Sequence, residues 1–193
     1  MILASKSASR QAMLDAAGVA YESIPADIDE RAVEAGLEGT APAEVAEALA
    51  VAKAAAVAAL HPEALVLGSD SLVVAEGRRF DKPRSAEEAA EHLRFFSGQV
   101  MELHSAAALV RAGGCEWSHA SIARLHVRNL SEEFIAHYLS LEWPAIGHTV
   151  GAFRIEGPGV QLFDAIEGDQ FTVLGMPLLP LLAALREEGV LLA

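Results

Sequence analysis

The chain has 193 residues, 52% of them hydrophobic, enough for one domain with a sizeable core. Its 14 basic and 27 acidic residues give a formal charge of −13, which repels nucleic acid and anionic membranes, so a phosphate ligand needs a local cluster of cations. The one cysteine, Cys115, excludes an internal disulfide and a Cys-pair zinc site and fits a reduced, cytosolic setting.

Ile2-Leu3-Ala4 reads as a short strand, too short an apolar run for a signal peptide. Ser5 to Arg10 then leads into a helix, with Ser7 or Ser9 as its cap and Gly18 at its end. Hydroxyls, backbone N–H groups and two cations would meet at that N-terminus, which is either an anion site or an ordinary Ser cap. Tyr21 to Ile24 is a strand candidate, and Pro25 to Glu38 is an acidic loop or weak helix. Thr40 to Leu60 is a long Ala-rich helix with Thr40 as its expected cap and Pro42 in its first turn. Glu47 and Lys53 interrupt its apolar stretch, so it is not a membrane span.

Two apolar runs, Ala64–Leu67 and Leu72–Ala75, flank Gly68-Ser69-Asp70-Ser71 and read as strands around a turn. A carboxylate between buried strands costs several kcal/mol unless it is paired or binds a metal. Asp70 is thus either a turn residue bonding its own backbone or a site residue, and these residues alone leave both open. A turn at Glu76-Gly77 follows. Ser85-Ala86-Glu87-Glu88 is a capping box for a helix ending at Ser97-Gly98. Met101–Val110 and Trp117–Val127 form a hairpin around a Gly113-Gly114 turn, and Ser131 caps a helix to about Leu141. A glycine-rich segment spans Gly147 to Gly159. After a Gly168-Asp169 turn, Phe171–Leu174 reads as a strand, and a Leu-rich helix runs from Gly175-Met176-Pro177 to Gly189. No repeat or linker is evident, so residues 1–193 are read as a single domain.

No P-loop, His-Glu-x-x-His zinc motif or Gly-x-Ser-x-Gly elbow occurs. What remains is oxygen ligands plus cations. Asp70 and Glu30 could hold a hard divalent metal, and Arg10, Lys53 and Lys82 could neutralise phosphates.

Several blocks then agree in order. Leu3-Ala4-Ser5-x-Ser7-x-x-Arg10, Gly68-Ser69-Asp70-Ser71, Lys82-Pro83, Ser97-Gly98, Gly151-x-Phe153-x-x-Glu156-Gly157-x-Gly159 and Gly168-Asp169 through Pro177 span nearly the whole chain. Together they resemble the Maf family of nucleoside triphosphate pyrophosphatases. The resemblance implies an α/β fold with an elongated mixed sheet flanked by helices, and two lobes with a central cleft. It implies hydrolysis of a nucleoside triphosphate to the monophosphate and pyrophosphate, a house-cleaning of the nucleotide pool, with Mg²⁺ or Mn²⁺. In that picture Asp70 is the proton acceptor or, with Glu30, holds the metal that activates water. Ser7, Arg10, Lys53 and Lys82 contact the triphosphate. Family members are often dimers, so the resemblance allows a homodimer; with the cysteine usage, the expected location is cytoplasmic.

Ser9, Ser71 and Glu156 match the positions that set base preference in the family. The usual Ser-Pro-Arg-Arg is Ser7-Ala8-Ser9-Arg10 here, and the common Gln stands as Glu156. A Gln amide both donates and accepts, which suits uracil or thymine, whereas a carboxylate only accepts. Glu156 therefore resembles the branch acting on 7-methyl-GTP. The alternatives are the dTTP/UTP branch and a non-catalytic nucleotide-binding regulator of septum formation.

Overall fold

The computed structural model describes residues 1–112 and 114–192; Gly113 of the expected hairpin turn lies outside the described residues. In chain order the elements are β1 (Ile2–Leu3), α1 (Ala8–Ala16), β2 (Glu22–Ser23), α2 (Glu30–Ala35), α3 (Pro42–Ala58), β3 (Val66–Ala75), β4 (Arg78–Phe80) and α4 (Ala86–Phe96). There follow β5 (Val100–Arg111), β6 (Gly114–Val127), α5 (Glu132–Glu142), three 3-10 turns (Ala145–His148, Val150–Ala152, Pro158–Leu162), β7 (Phe163–Glu167), α6 (Gln170–Val173) and α7 (Leu178–Glu187). The sheet is mixed, with strand order β2-β1-β3-β5-β6-β7 and β4 paired to β3. β1 runs parallel to β2 and β3, whereas β4 on β3 and β7 on β6 are antiparallel. Among the described residues, no helix is long and apolar enough to cross a membrane.

The chain divides into two compact units. The first holds Met1–Ser71, His104–Ser121 and Gln170–Ala193. Leu3, Leu14 and Leu67 pack with Leu109, Met176, Leu181 and Leu185 in one cluster, and Ile2, Ala54, Val57, Val66 and Val110 form a second. The other unit holds Leu72–Leu103 and Ile122–Asp169, where Phe80, Leu93, Phe96, Met101, Ile135 and Tyr138 are buried.

Most helix boundaries follow their local signals. Ser85 Oγ accepts from the Glu88 amide and Ser131 Oγ from the Phe134 amide, as N-caps do. The reciprocal half of the expected capping box is redirected: the Glu88 carboxylate accepts from the Arg84 amide at 2.8 Å. Gly18, at φ 68°, closes α1 with Val19 N–H on the Leu14 carbonyl.

Three expectations fail. Gly68-Ser69-Asp70-Ser71 is not a turn, because β3 runs unbroken from Val66 to Ala75. Its polar side chains find partners far away in sequence, which removes the cost that made a turn the natural reading. Phe171–Leu174 is not a strand: α6 occupies Gln170–Val173, and Gly175 at φ 101° ends it with its N–H on the Thr172 carbonyl. The N-cap of α3 is Ala41, not Thr40, because Pro42 at the first helical position holds the residue before it extended.

Candidate active site

The site begins at a glycine. A Cβ on Gly68 would lie 2.0 Å from the Ala50 carbonyl oxygen and 2.8 Å from the Ala54 nitrogen, so β3 runs backbone against backbone with α3. Side chains alternate along a strand, so Gly68 and Asp70 share the face toward α3. Lys53, between Ala50 and Ala54, meets Asp70 there. Its Nζ donates to the Asp70 carboxylate and lies 2.8 Å from Glu30 Oε1, at the start of α2. The side chains of Lys53 and Asp70 are 13% and 10% exposed, whereas Glu30 is 48% exposed and forms the open side of the triad. A mid-helix lysine among alanines would be expected to reach for water. Here it reaches for two acids.

The opposite face of β3 carries a second network. Arg10 Nε donates to the Gly175 carbonyl at 3.0 Å, Nη1 to the Ser69 carbonyl at 2.9 Å, and Nη2 to Ser71 Oγ at 3.1 Å. Burial lowers the Arg10 pKa from its ordinary value, and the charges of Asp70 and Glu30 pull it back up. Ser69 Oγ donates to the same Gly175 carbonyl at 3.2 Å, and Ser71 Oγ stands 3.0 Å from both that carbonyl and Ser105 Oγ. Both residues flanking Asp70 are therefore pinned by the turn that ends α6. Ser9 Oγ donates to the Leu174 carbonyl at 2.9 Å, so it joins this network too. Ser7 precedes α1 without a side-chain cap bond, and its amide donates to Ser5 Oγ at 3.2 Å.

This arrangement has relatives. The sequence profile of the Maf-like proteins matches residues 1–188. The chain belongs to the Maf family. It is 50% identical, over 99% of this chain and 97% of the relative, to the 7-methyl-GTP pyrophosphatase of Rhizobium etli. It is 48% identical, over 99% of this chain and 95% of the relative, to the nucleoside triphosphate pyrophosphatase of Rhodopseudomonas palustris. Among solved structures, a nucleoside-triphosphatase / dITP/XTP pyrophosphatase from Mycobacterium abscessus aligns over 67% of this chain and 74% of that one, with 18% identity and a TM-score of 0.40.

The Maf signature residues thus sort by face. Glu30, Lys53 and Asp70 converge on one side of β3, while Ser9, Arg10 and Ser71 are tied together on the other. The guanidinium of Arg10 spends most of its N–H groups on protein carbonyls and hydroxyls, so its first role is to hold the strand that carries Asp70. Lys82 and Glu156 belong to the other unit and are both exposed, Lys82 after β4 and Glu156 in the turn before Gly157. Sequence reasoning missed Ser5, Ser69, Ser105 and the Gly175 carbonyl. A serine within the apolar run of β5 was the available signal for Ser105, whose hydroxyl donates to the Thr172 carbonyl at 2.8 Å.

A divalent cation can be tested against the donors present. Glu30 and Asp70 share one lysine, so the triad carries one negative charge in excess. Among the described residues there is no cluster of three or more His, Cys, Asp or Glu that could form an all-protein cage. One or two carboxylates, with phosphate oxygens and water completing the shell, is the donor set that Mg²⁺ accepts. The residues fit.

Proposed function

We propose that the protein is a nucleoside triphosphate pyrophosphatase that clears modified or surplus nucleotides from the cytoplasmic pool. The observation that carries this reading is the Glu30–Lys53–Asp70 triad, two acids on one shared base beside a backbone-to-backbone contact. The names borne by relatives nearly half identical to this chain support it.

In this reading the triphosphate displaces part of the triad. Lys53 turns from carboxylate to phosphate oxygen, as a flexible ammonium can. Asp70, freed from Lys53, accepts the proton of the attacking water. The anhydride bond between the α- and β-phosphates breaks, and pyrophosphate leaves with the bonding electron pair. Mg²⁺ or Mn²⁺, when bound by Asp70 and Glu30, supplies charge neutralisation at the phosphates. Ser7 and Lys82 are assigned to further phosphate contacts. Glu156 is assigned to the base: a carboxylate only accepts, so it suits the adjacent N–H donors of a guanine edge, and more so the cationic 7-methylguanine.

Purified protein with Mg²⁺ or Mn²⁺ and a panel of 7-methyl-GTP, GTP, UTP and dTTP tests the proposal. Pyrophosphate and monophosphate should appear in equal amounts, fastest from 7-methyl-GTP, and EDTA should stop the reaction. Asp70→Asn should lower kcat by at least about 100-fold with the fold intact. Faster turnover of UTP or dTTP would refute the base preference; no pyrophosphate from any triphosphate would refute the hydrolytic reading itself.

A further inference from the structure

The glycine-rich segment around Glu156 has an internal support that the catalytic reading does not use. Helix α5 grips it with two side chains one turn apart. Tyr138 Oη donates to the Ala152 carbonyl at 3.2 Å. Glu142 receives Arg154 in a two-pronged pair, Nε to Oε2 at 2.8 Å and Nη2 to Oε1 at 3.0 Å. The Glu142 side chain is only 3% exposed and Arg154 is 39% exposed. A buried carboxylate with both oxygens matched to a planar guanidinium fixes direction as well as distance.

From Arg154 the chain folds back on itself. The Gly157 amide donates to the Arg154 carbonyl at 3.2 Å, and a Cβ on Gly159 would lie 2.4 Å from that same oxygen. Glu156 stands exposed at the apex of this loop. The loop is thus closed onto the backbone of one residue, and that residue is clamped through its side chain to a buried acid. We infer that Arg154, held by Glu142, is a positioning residue for Glu156 and so sets how sharply the protein discriminates among nucleobases. This rests on the reading of Glu156 as the base contact.

The test compares Arg154→Gln, Glu142→Gln, Glu156→Gln and the Arg154→Gln/Glu156→Gln double variant. KM and kcat for 7-methyl-GTP and UTP are measured, with amide exchange across residues 154–159. Arg154→Gln should lower the preference between the two substrates about tenfold, through KM rather than kcat. The double variant should discriminate no worse than Glu156→Gln alone, since both changes remove one interaction. Exchange at 155–157 should quicken while that at 66–71 stays as it was. Equal losses on both substrates, additive losses in the double variant, or unchanged exchange at 155–157 would each overturn the inference. Should Arg154→Gln fail to fold, Glu142→Gln keeps the shape of the pair and should shift preference the same way by a smaller factor; no shift overturns the inference. A wild type that prefers UTP refutes the base assignment, and one that turns over nothing refutes the pyrophosphatase reading. Exchange at 155–157 still decides the positioning role in both cases.

Discussion

The two ion clusters of this protein are built on opposite principles. In one unit Lys53 is shared by Asp70 and Glu30, an odd count that leaves a charge over, with Glu30 half open to water. In the other, Arg154 and Glu142 match one to one, two bonds to two oxygens, with the carboxylate buried. The first has one open member, since Glu30 can turn to water or to an incoming cation while Lys53 stays on Asp70. The second has no such freedom, since removing Arg154 leaves the buried Glu142 carboxylate uncompensated. A cluster with a charge over suits chemistry, and a matched pair suits positioning.

The harshest way to break the first cluster leaves its charges alone. Gly68→Ala puts a Cβ 2.0 Å from a helix carbonyl, against backbone that cannot rotate aside. Strand and helix must separate, carrying Asp70 away from Lys53. We expect a loss of more than about 3 kcal/mol by denaturant unfolding, with turnover lost even in the fraction that stays folded. Near-native stability would mean that β3 and α3 are not held this close.

Removing the cation from each cluster sharpens the contrast. Arg154→Met strands the buried Glu142 carboxylate and should cost about 3 kcal/mol. Lys53→Met strands Asp70, which is less deeply buried than Glu142, while Glu30 turns to water, so it should cost less, about 2 kcal/mol. The two variants should respond differently to millimolar Mg²⁺. Lys53→Met leaves two converging carboxylates, so its Tm should rise with Mg²⁺ by more than that of the wild type. Arg154→Met keeps the Glu30–Lys53–Asp70 triad and adds only one lone buried carboxylate, so it should respond no more than the wild type. Equal responses would remove the distinction between the clusters.

Much of this was legible in the sequence, and the misreadings have a common cause. Caps such as Ser85 and Ser131, and terminators such as Gly18 and Gly189, are local, and local residues declare them. The ordered blocks reveal the family because each preserves several residues at fixed spacing. β3 was misread because the partners that make its Ser69 and Asp70 bearable lie elsewhere: Lys53 in α3, Arg10 in α1, Gly175 after α6. Without them, a polar interruption of an apolar run reads as a turn. Residues 171–174 were read as a strand because a four-residue apolar run has no period to betray a helix.

The mildest change bears on the positioning cluster alone. Tyr138 is 1% exposed, and its hydroxyl is the second grip of α5 on the glycine-rich segment. Tyr138→Phe keeps the ring and removes one donor from the Ala152 carbonyl, so the loss should be about 1 kcal/mol. Burial holds the Tyr138 phenol far above the ordinary tyrosine range, with the Glu142 charge adding to the shift. The sign of the linkage follows. A raised folded-state pKa gives a contribution that is complete below the unfolded tyrosine value, about 10, and that fades as pH rises past it. The gap in stability between wild type and Tyr138→Phe should therefore be flat from pH 6 to 9 and narrow only in stronger alkali. Substrate preference should move in the direction of the Arg154→Gln change but by a smaller factor, because Arg154 still clamps the loop at Glu142. A Tyr138→Phe protein with a larger shift in preference than Arg154→Gln would make the Ala152 carbonyl, not the Arg154 guanidinium, the point from which Glu156 is aimed.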